Sequence, residues 1–238
     1  MQSATEIKRT ARRAGLLYLV MSVFAMANYF YLHRLFFFQG DPAATARSIL
    51  AREQLYRISL LLDLVTQILF ILAVVALYRL FRDVDRSQAR VMVALVGTGI
   101  AAQFAGFVLN TVPLVLLRGP EYLAAFTPQQ LQALSYASLR LFSKQGELLT
   151  AIWGLWLFPF GLLTIKSGFL PKFLGVLLII TGIAYVVSCV TAVVFPEQVD
   201  AVYKLALPLY FGEFIVVLWL AIVGAKPLME SASGSISV

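Results

Sequence analysis

Cysteine and histidine are almost missing from this chain of 238 residues, which holds one of each, Cys189 and His33. One cysteine forbids an intrachain disulfide and any cysteine-based metal cluster. One histidine cannot supply a two-histidine zinc or haem site. Cys189 lies in the apolar run Tyr185–Val194, where a thiol packs as a small hydrophobe. Charge is scarce too, at 13 % of residues, against roughly 25 % in a soluble domain. There is no Gly-x-Ser-x-Gly elbow and no His-Glu-x-x-His pair, so neither serine-hydrolase nor zincin chemistry has residues to run on. The 19 Lys+Arg exceed the 12 Asp+Glu, but no basic patch is interleaved with aromatics, which excludes nucleic acid as the expected partner. No catalytic set, metal site or cofactor is expected.

What is abundant is apolar sequence: 61 % of residues are hydrophobic, with mean hydropathy +0.86. A soluble globule of this length could not bury so much, and disorder is excluded by the same numbers. Six long apolar runs are present, at about residues 14–38, 55–81, 91–117, 141–165, 173–195 and 205–224. Each can cross roughly 30 Å of hydrocarbon as a helix. The runs are continuous rather than alternating, so they predict helices and not a barrel. The basic segment Lys8–Arg13 precedes the first. Ala25-Met26-Ala27 has the form of a signal-peptidase site. Apolar and aromatic residues continue well past Ala27, so the segment reads as an uncleaved first span.

Lys and Arg set the orientation. With the N-terminus cytoplasmic, 11 of the 19 fall inside. The inner loops Arg82–Arg86 and Lys166–Gly168 are short and basic, while the outer connections are long. Both termini are then cytoplasmic, and anionic lipid headgroups are the expected counter-surface for the excess positive charge. The expected organisation is a basic cytoplasmic tail over 1–13, a six-helix transmembrane domain over 14–224 and a disordered cytoplasmic tail over 225–238.

The three outer connections start alike, at Asp41-Pro42, Thr127-Pro128 and Phe195-Pro196. Proline suits the first turn of a helix, and Asp or Thr before it can cap free N–H groups. Thr127 and Gln130 have capping-box spacing. These segments predict short amphipathic helices on the outer surface. Each leads into a span carrying one carboxylate: Asp63 is 21 residues after Pro42, Glu147 is 19 after Pro128, and Glu213 is 17 after Pro196. Gly146-Glu147 and Gly212-Glu213 are each followed six residues after the acid by a tryptophan, Trp153 and Trp219. The chain therefore reads as an all-α integral membrane protein of about six transmembrane helices in three repeated hairpins.

Several stretches resemble a known family. They are Arg13-Ala14-Gly15-Leu16-Leu17-Tyr18, Gly40-Asp41-Pro42-Ala43-Ala44-Thr45-Ala46, Tyr122-Leu123-Ala124-Ala125-Phe126 ahead of Gln130-Leu131-Gln132-Ala133-Leu134, Ser167-Gly168-Phe169-Leu170-Pro171-Lys172-Phe173-Leu174-Gly175, and Gly212-Glu213. Together, in this order, they resemble the bacterial multispanning membrane family catalogued as domain of unknown function 4386, over roughly residues 8–224. The resemblance implies a bacterial cytoplasmic-membrane protein with about six helices and no assigned activity. Similar sequences often carry a histidine-containing segment where this chain has Phe142-Ser143-Lys144-Gln145-Gly146, so the resemblance implies no histidine mechanism here.

A carboxylate within a bilayer costs about 2.5–3.5 kcal/mol on insertion scales, so such groups turn inward. Counted from the inner basic anchors Arg79, Lys166 and Lys226, the three acids lie at similar depth, about 20–28 Å up. Arg57, Arg140 and Lys144 lie one or two turns further out, and Asn28, Gln67, Gln103 and Asn110 are polar within the spans. Three readings stand. The acids pair with these residues and hold the bundle. Alternatively they line an outward-facing site for a cation, a proton or a small amphiphile. In the third, Glu147 and Glu213 serve as acid and base toward a lipid-like substrate. Besides membrane lipids, the expected partner is thus a small amphiphilic or ionic ligand at Asp63, Glu147 and Glu213. Elsewhere, Ala94, Thr98, Ala102 and Gly106 form a small-residue stripe for close packing. Pro113 and Pro159 predict kinks, Trp153 and Trp156 predict core, and Phe36-Phe37-Phe38 predicts an interfacial belt.

Overall fold

The computed structural model describes residues 3–226; from residue 227 on, the expected tail lies outside the described residues. Among these residues the structure is all-helical, with six helical segments long and apolar enough to cross a membrane. The first segment is α1 (Ala4–Ala27), a five-residue π-helical turn (Asn28–Leu32) and α2 (His33–Phe36). A short helix, α3 (Pro42–Ala51), follows, then the spans α4 (Glu53–Phe81) and α5 (Arg86–Leu116). The fourth segment is α6 (Pro128–Leu155) continued by α7 (Leu157–Lys166); α8 (Lys172–Val194) and α9 (Val199–Ile222) complete the set. The basic segment before the first apolar run is itself helical, since α1 starts at Ala4.

The helix starts are set by local chemistry. Ser3 and Asp41 accept from the N–H groups of Glu6 and Ala44. Thr127 and Gln130 form the full capping box. Among the described residues only the first outer connection carries a separate short α-helix; the second and third have single 3-10 turns, Glu121–Leu123 and Pro196–Gln198. Arg52, at φ −130° and ψ 39°, breaks α3 from α4. No such break follows Pro128 or Val199, so the segments expected to lie on the surface run straight into spans four and six. Pro159 does interrupt its span: it has no N–H for the Leu155 carbonyl, and α6 gives way to α7 at Trp156. Pro113 and Pro208 stay within their helices.

The three predicted hairpins are all contacting pairs: α1 with α4, α5 with α6, and α8 with α9. Contacts of α4 with α5, α6 with α8, and α9 with α1 close them into a ring in sequence order. The ring is filled by an aromatic column. Trp156, 1 % exposed, has Phe160, Phe70 and Tyr18 within 6.0 Å between ring centroids, and Phe160 leads on to Phe81 and Phe169. Outward faces are apolar. On α8, Val176, Ile180, Ile183, Val187, Val190 and Val194 are exposed at alternating spacings of three and four, the stripe of a lipid-facing helix.

Glycine sets how closely α6 and α7 approach α8. A Cβ on Gly154 would lie 2.6 Å from the Gly182 carbonyl oxygen, and one on Gly161 would lie 2.7 Å from that of Gly175. The pairs are seven residues apart on each strand, an antiparallel register that only hydrogen at Cα permits. On α5, Gly99 and Gly106 instead make room for side chains, those of Trp153 and Gln145. The small-residue stripe expected on α5 is not this line, because Ala94 and Thr98 are exposed. Phe36 also differs from expectation: it is buried with Ile49, Tyr56, Leu60 and Leu139, while Phe38 is exposed.

At the end of the bundle where α1 begins and α9 ends, Arg12 donates to the Ile222 carbonyl at 2.8 Å. There Lys166 Nζ reaches Asp85 Oδ2 at 2.8 Å, and the Lys226 N–H donates to the Phe169 carbonyl. The Lys166 ammonium and then the Gln88 N–H hold the Asp85 carboxyl below the usual carboxylate range.

Candidate functional site

Asp63 stands on α4 facing the π-helical turn. That turn inserts an extra residue per hydrogen-bonded loop, and Asn28, its first residue, is buried at 2 % exposure. Asn28 Nδ2 donates to Asp63 Oδ1 at 2.5 Å and to the Ser59 carbonyl at 3.1 Å. One turn further along α4, Gln67 shares with Asp63 a cavity of about 10 Å³, whose walls also include Gln103 and Phe104 of α5 and Phe142 of α6. That is about the space one water needs. Asp63 Oδ2, Gln67 Oε1 and Asn28 Oδ1 are all buried with no donor. On α6, Gln145 Nε2 donates to the Ala102 carbonyl of α5, and its Oε1 is likewise buried and unpartnered. Gly106 makes room for that amide, because any side chain there would collide with it. Four buried side-chain oxygens in this region thus lack a hydrogen-bond partner.

Glu213 on α9 is placed differently. Tyr18 of α1 donates to its Oε1, and Tyr185 of α8 to its Oε2 at 3.3 Å. One carboxylate therefore receives two hydroxyls and joins three helices. Close by, Thr181 of α8 donates to the Leu209 carbonyl at 2.8 Å, and Gly212 admits it. Ser188 and Tyr210 hydrogen-bond across the same pair of helices. Glu147, third of the set, is half-buried and forms an ion pair within α6 with the exposed Lys144 at 2.6 Å.

Of the residues singled out in the sequence, Asp63, Gln67 and Gln103 line one cavity. Glu213 and Glu147 have separate partner sets. Asn110 is buried elsewhere between α4 and α5, accepting from the Tyr56 hydroxyl at 2.6 Å through its carbonyl. Arg57 pairs with Glu53, and Arg140 is exposed on α6. Sequence reasoning missed Tyr18, Tyr185 and Gln145. The tyrosines sit inside apolar runs and look like core; Gln145 has its signal in Gly106, a glycine one helix away. Among the described residues no group of three or more His, Cys, Asp or Glu side chains comes together to hold a metal ion. Cys189 is buried, its Sγ 3.5 Å from the Leu148 carbonyl.

The unpartnered oxygens of this cluster can take a donor. A proton on Asp63, a water molecule or a small hard cation would each supply what the oxygens lack. Residues 13–224 match the family described as Domain of unknown function (DUF4386). No curated protein and no solved structure matches the chain.

Proposed function

The chain belongs to the DUF4386 family of unknown function, and we propose that it is a membrane protein that binds a proton or a small monovalent cation at Asp63. Asn28, Gln67 and Gln103 complete that site. The observation that carries this reading is the set of three buried oxygens, Asp63 Oδ2, Gln67 Oε1 and Asn28 Oδ1, none of which has a hydrogen-bond partner. An unpartnered buried polar atom costs about 1–3 kcal/mol, so three together favour an occupant. We place the protein in the cytoplasmic membrane of a bacterium with both termini cytoplasmic, on the Lys and Arg distribution and the family resemblance. The Asp63 site then faces the outer half of the bilayer.

The test is thermal unfolding in mild detergent at constant ionic strength, in sodium, potassium, lithium or choline chloride, across a range of pH. The expected result is a melting temperature that depends on the cation or on pH in the wild type and loses that dependence in Asp63→Asn. Identical curves for both proteins in every salt and at every pH would remove the site.

A second reading has its own observation. Glu213 already has two hydroxyl donors and Glu147 has Lys144, as a purely structural pair of acids would. We assign these two to holding the bundle, and keep ligand binding for Asp63.

A further inference from the structure

Between α4 and α5, toward the end of the bundle that carries α3, a groove of about 500 Å³ opens sideways on the face of the ring. Its floor and walls are apolar, with Leu61 and Leu64 on one side and Phe107, Leu114 and Val115 on the other. Leu61 and Val115 are about half exposed, at 59 % and 48 %, so the groove faces where acyl chains would lie. At its outer mouth stands Arg57. Arg57 and Arg118 both bind the one carboxylate of Glu53, each at 2.7 Å. Two guanidinium groups on one carboxylate leave a surplus of one positive charge. Both arginines keep much of their surface, 45 % and 62 %, so donors remain free to face an anion.

We infer that this groove is a binding site for one anionic phospholipid, with its phosphate on Arg57 and Arg118 and an acyl chain along Leu61, Leu64 and Phe107. The division of labour follows from the solvent. Lipid tails are as apolar as leucine, so an apolar groove gains little by taking a chain out of the bilayer and supplies shape alone. Discrimination must come from the mouth, where arginine recognises phosphate with two parallel hydrogen bonds and charge attracts an anionic headgroup. Zwitterionic lipid offers the same phosphate with a compensating ammonium and is bound less well. The inference does not depend on what Asp63 binds.

Native mass spectrometry of the full chain in mild detergent tests this, with added phosphatidylglycerol or phosphatidylcholine. The expected wild-type result is one retained phosphatidylglycerol, preferred over phosphatidylcholine on the order of tenfold at low salt and less at high salt. Arg57→Gln with Arg118→Gln abolishes the preference. Glu53→Gln, which keeps both arginines and removes their counter-charge, increases it; this variant decides the matter if the double replacement does not fold. Thr111→Trp, which fills the groove, lowers retention of phosphatidylglycerol with the arginines intact. Equal retention of the two lipids by the wild type, a preference that survives the double replacement, or a preference unmoved by Glu53→Gln overturns the charge argument. Undiminished retention in Thr111→Trp overturns the groove.

Discussion

Around Glu213 the ring is closed tightly, and around Asp63 it is loose. On the first side, α8 is drawn against α6 and α7 by facing glycines and against α9 by Gly212 and Thr181, and the carboxylate has a hydroxyl on each oxygen. On the second side, α4 and α5 diverge enough to leave a groove and a cavity, and the carboxylate has one amide donor and one bare oxygen. The two acids are of similar chemistry and similar depth in sequence. Their neighbours decide that one acts as a joint between three helices and the other keeps an unpartnered oxygen. A buried ion or dipole stabilises only when its hydrogen-bonding capacity is filled, and a partly filled network is costly.

The largest expected effect comes from forcing the tight side open. A Cβ on Gly182 would sit 2.8 Å from the Gly154 carbonyl, against backbone that cannot swing away. Gly182→Val is expected to cost about 3 kcal/mol or more, read as a steep fall in melting temperature or loss of folded protein in detergent. Gly97, with open space at its Cβ, is the matched control, and Gly97→Ala should leave the melting temperature within a degree or two.

Next in size is the contrast between the acids. Glu213→Ala leaves the Tyr18 and Tyr185 hydroxyls without an acceptor and should cost about 2–4 kcal/mol. Asp63→Asn should cost nothing or stabilise, because it puts a donor among orphaned acceptors. Equal losses from the two replacements would erase the distinction between the two acids. Smaller again is Tyr56→Phe on the loose side, which removes the hydrogen bond to the Asn110 carbonyl for about 1 kcal/mol.

The smallest effect is at the end where α1 begins and α9 ends, away from either acid. The Asp85 carboxyl is held below its ordinary value by Lys166. Its contribution is therefore complete above the unfolded carboxylate value and disappears as pH falls through the lower folded value. The difference in melting temperature between wild type and Asp85→Asn should be small at neutral pH and close to zero in strong acid. A difference that grew on acidification would reverse that assignment.

The helices and hairpins were legible because apolar runs of 20 or more residues carry their own instruction. Asp63, Gln67 and Gln103 stand out as polar groups inside such runs, but the sequence grouped them with Glu147 and Glu213, which have separate partner sets. The division among the acids was not legible. It depends on Tyr18 and Tyr185, which are indistinguishable from core aromatics until α1 and α8 are known to flank α9. It depends too on Asn28, whose aim is set by a π-helical turn that leaves no mark in hydropathy. The length of the sixth-span helix was hidden for a related reason: the segment after Pro196 reads as a separate surface helix, yet it runs on through Pro208 as part of α9. Facing glycines were the missed signal for the tight side, because the heptad spacing of Gly154 with Gly161 and of Gly175 with Gly182 is visible only when two runs are set antiparallel.

The ring order has a bearing on biogenesis. Each span's next neighbour in the chain is also its neighbour in space, so pairing can proceed as successive segments leave the ribosome, with short-range contacts formed first. The seam between α1 and α9 is the exception, since it joins the first and the sixth of the described spans. Gly15 against Leu220 and Ala221, the Tyr18 hydroxyl on Glu213 and Arg12 on the Ile222 carbonyl all lie along that seam. Until α9 inserts, α1 must wait with Gly15 uncovered and the Tyr18 hydroxyl without its acceptor, and the nascent bundle remains an open horseshoe.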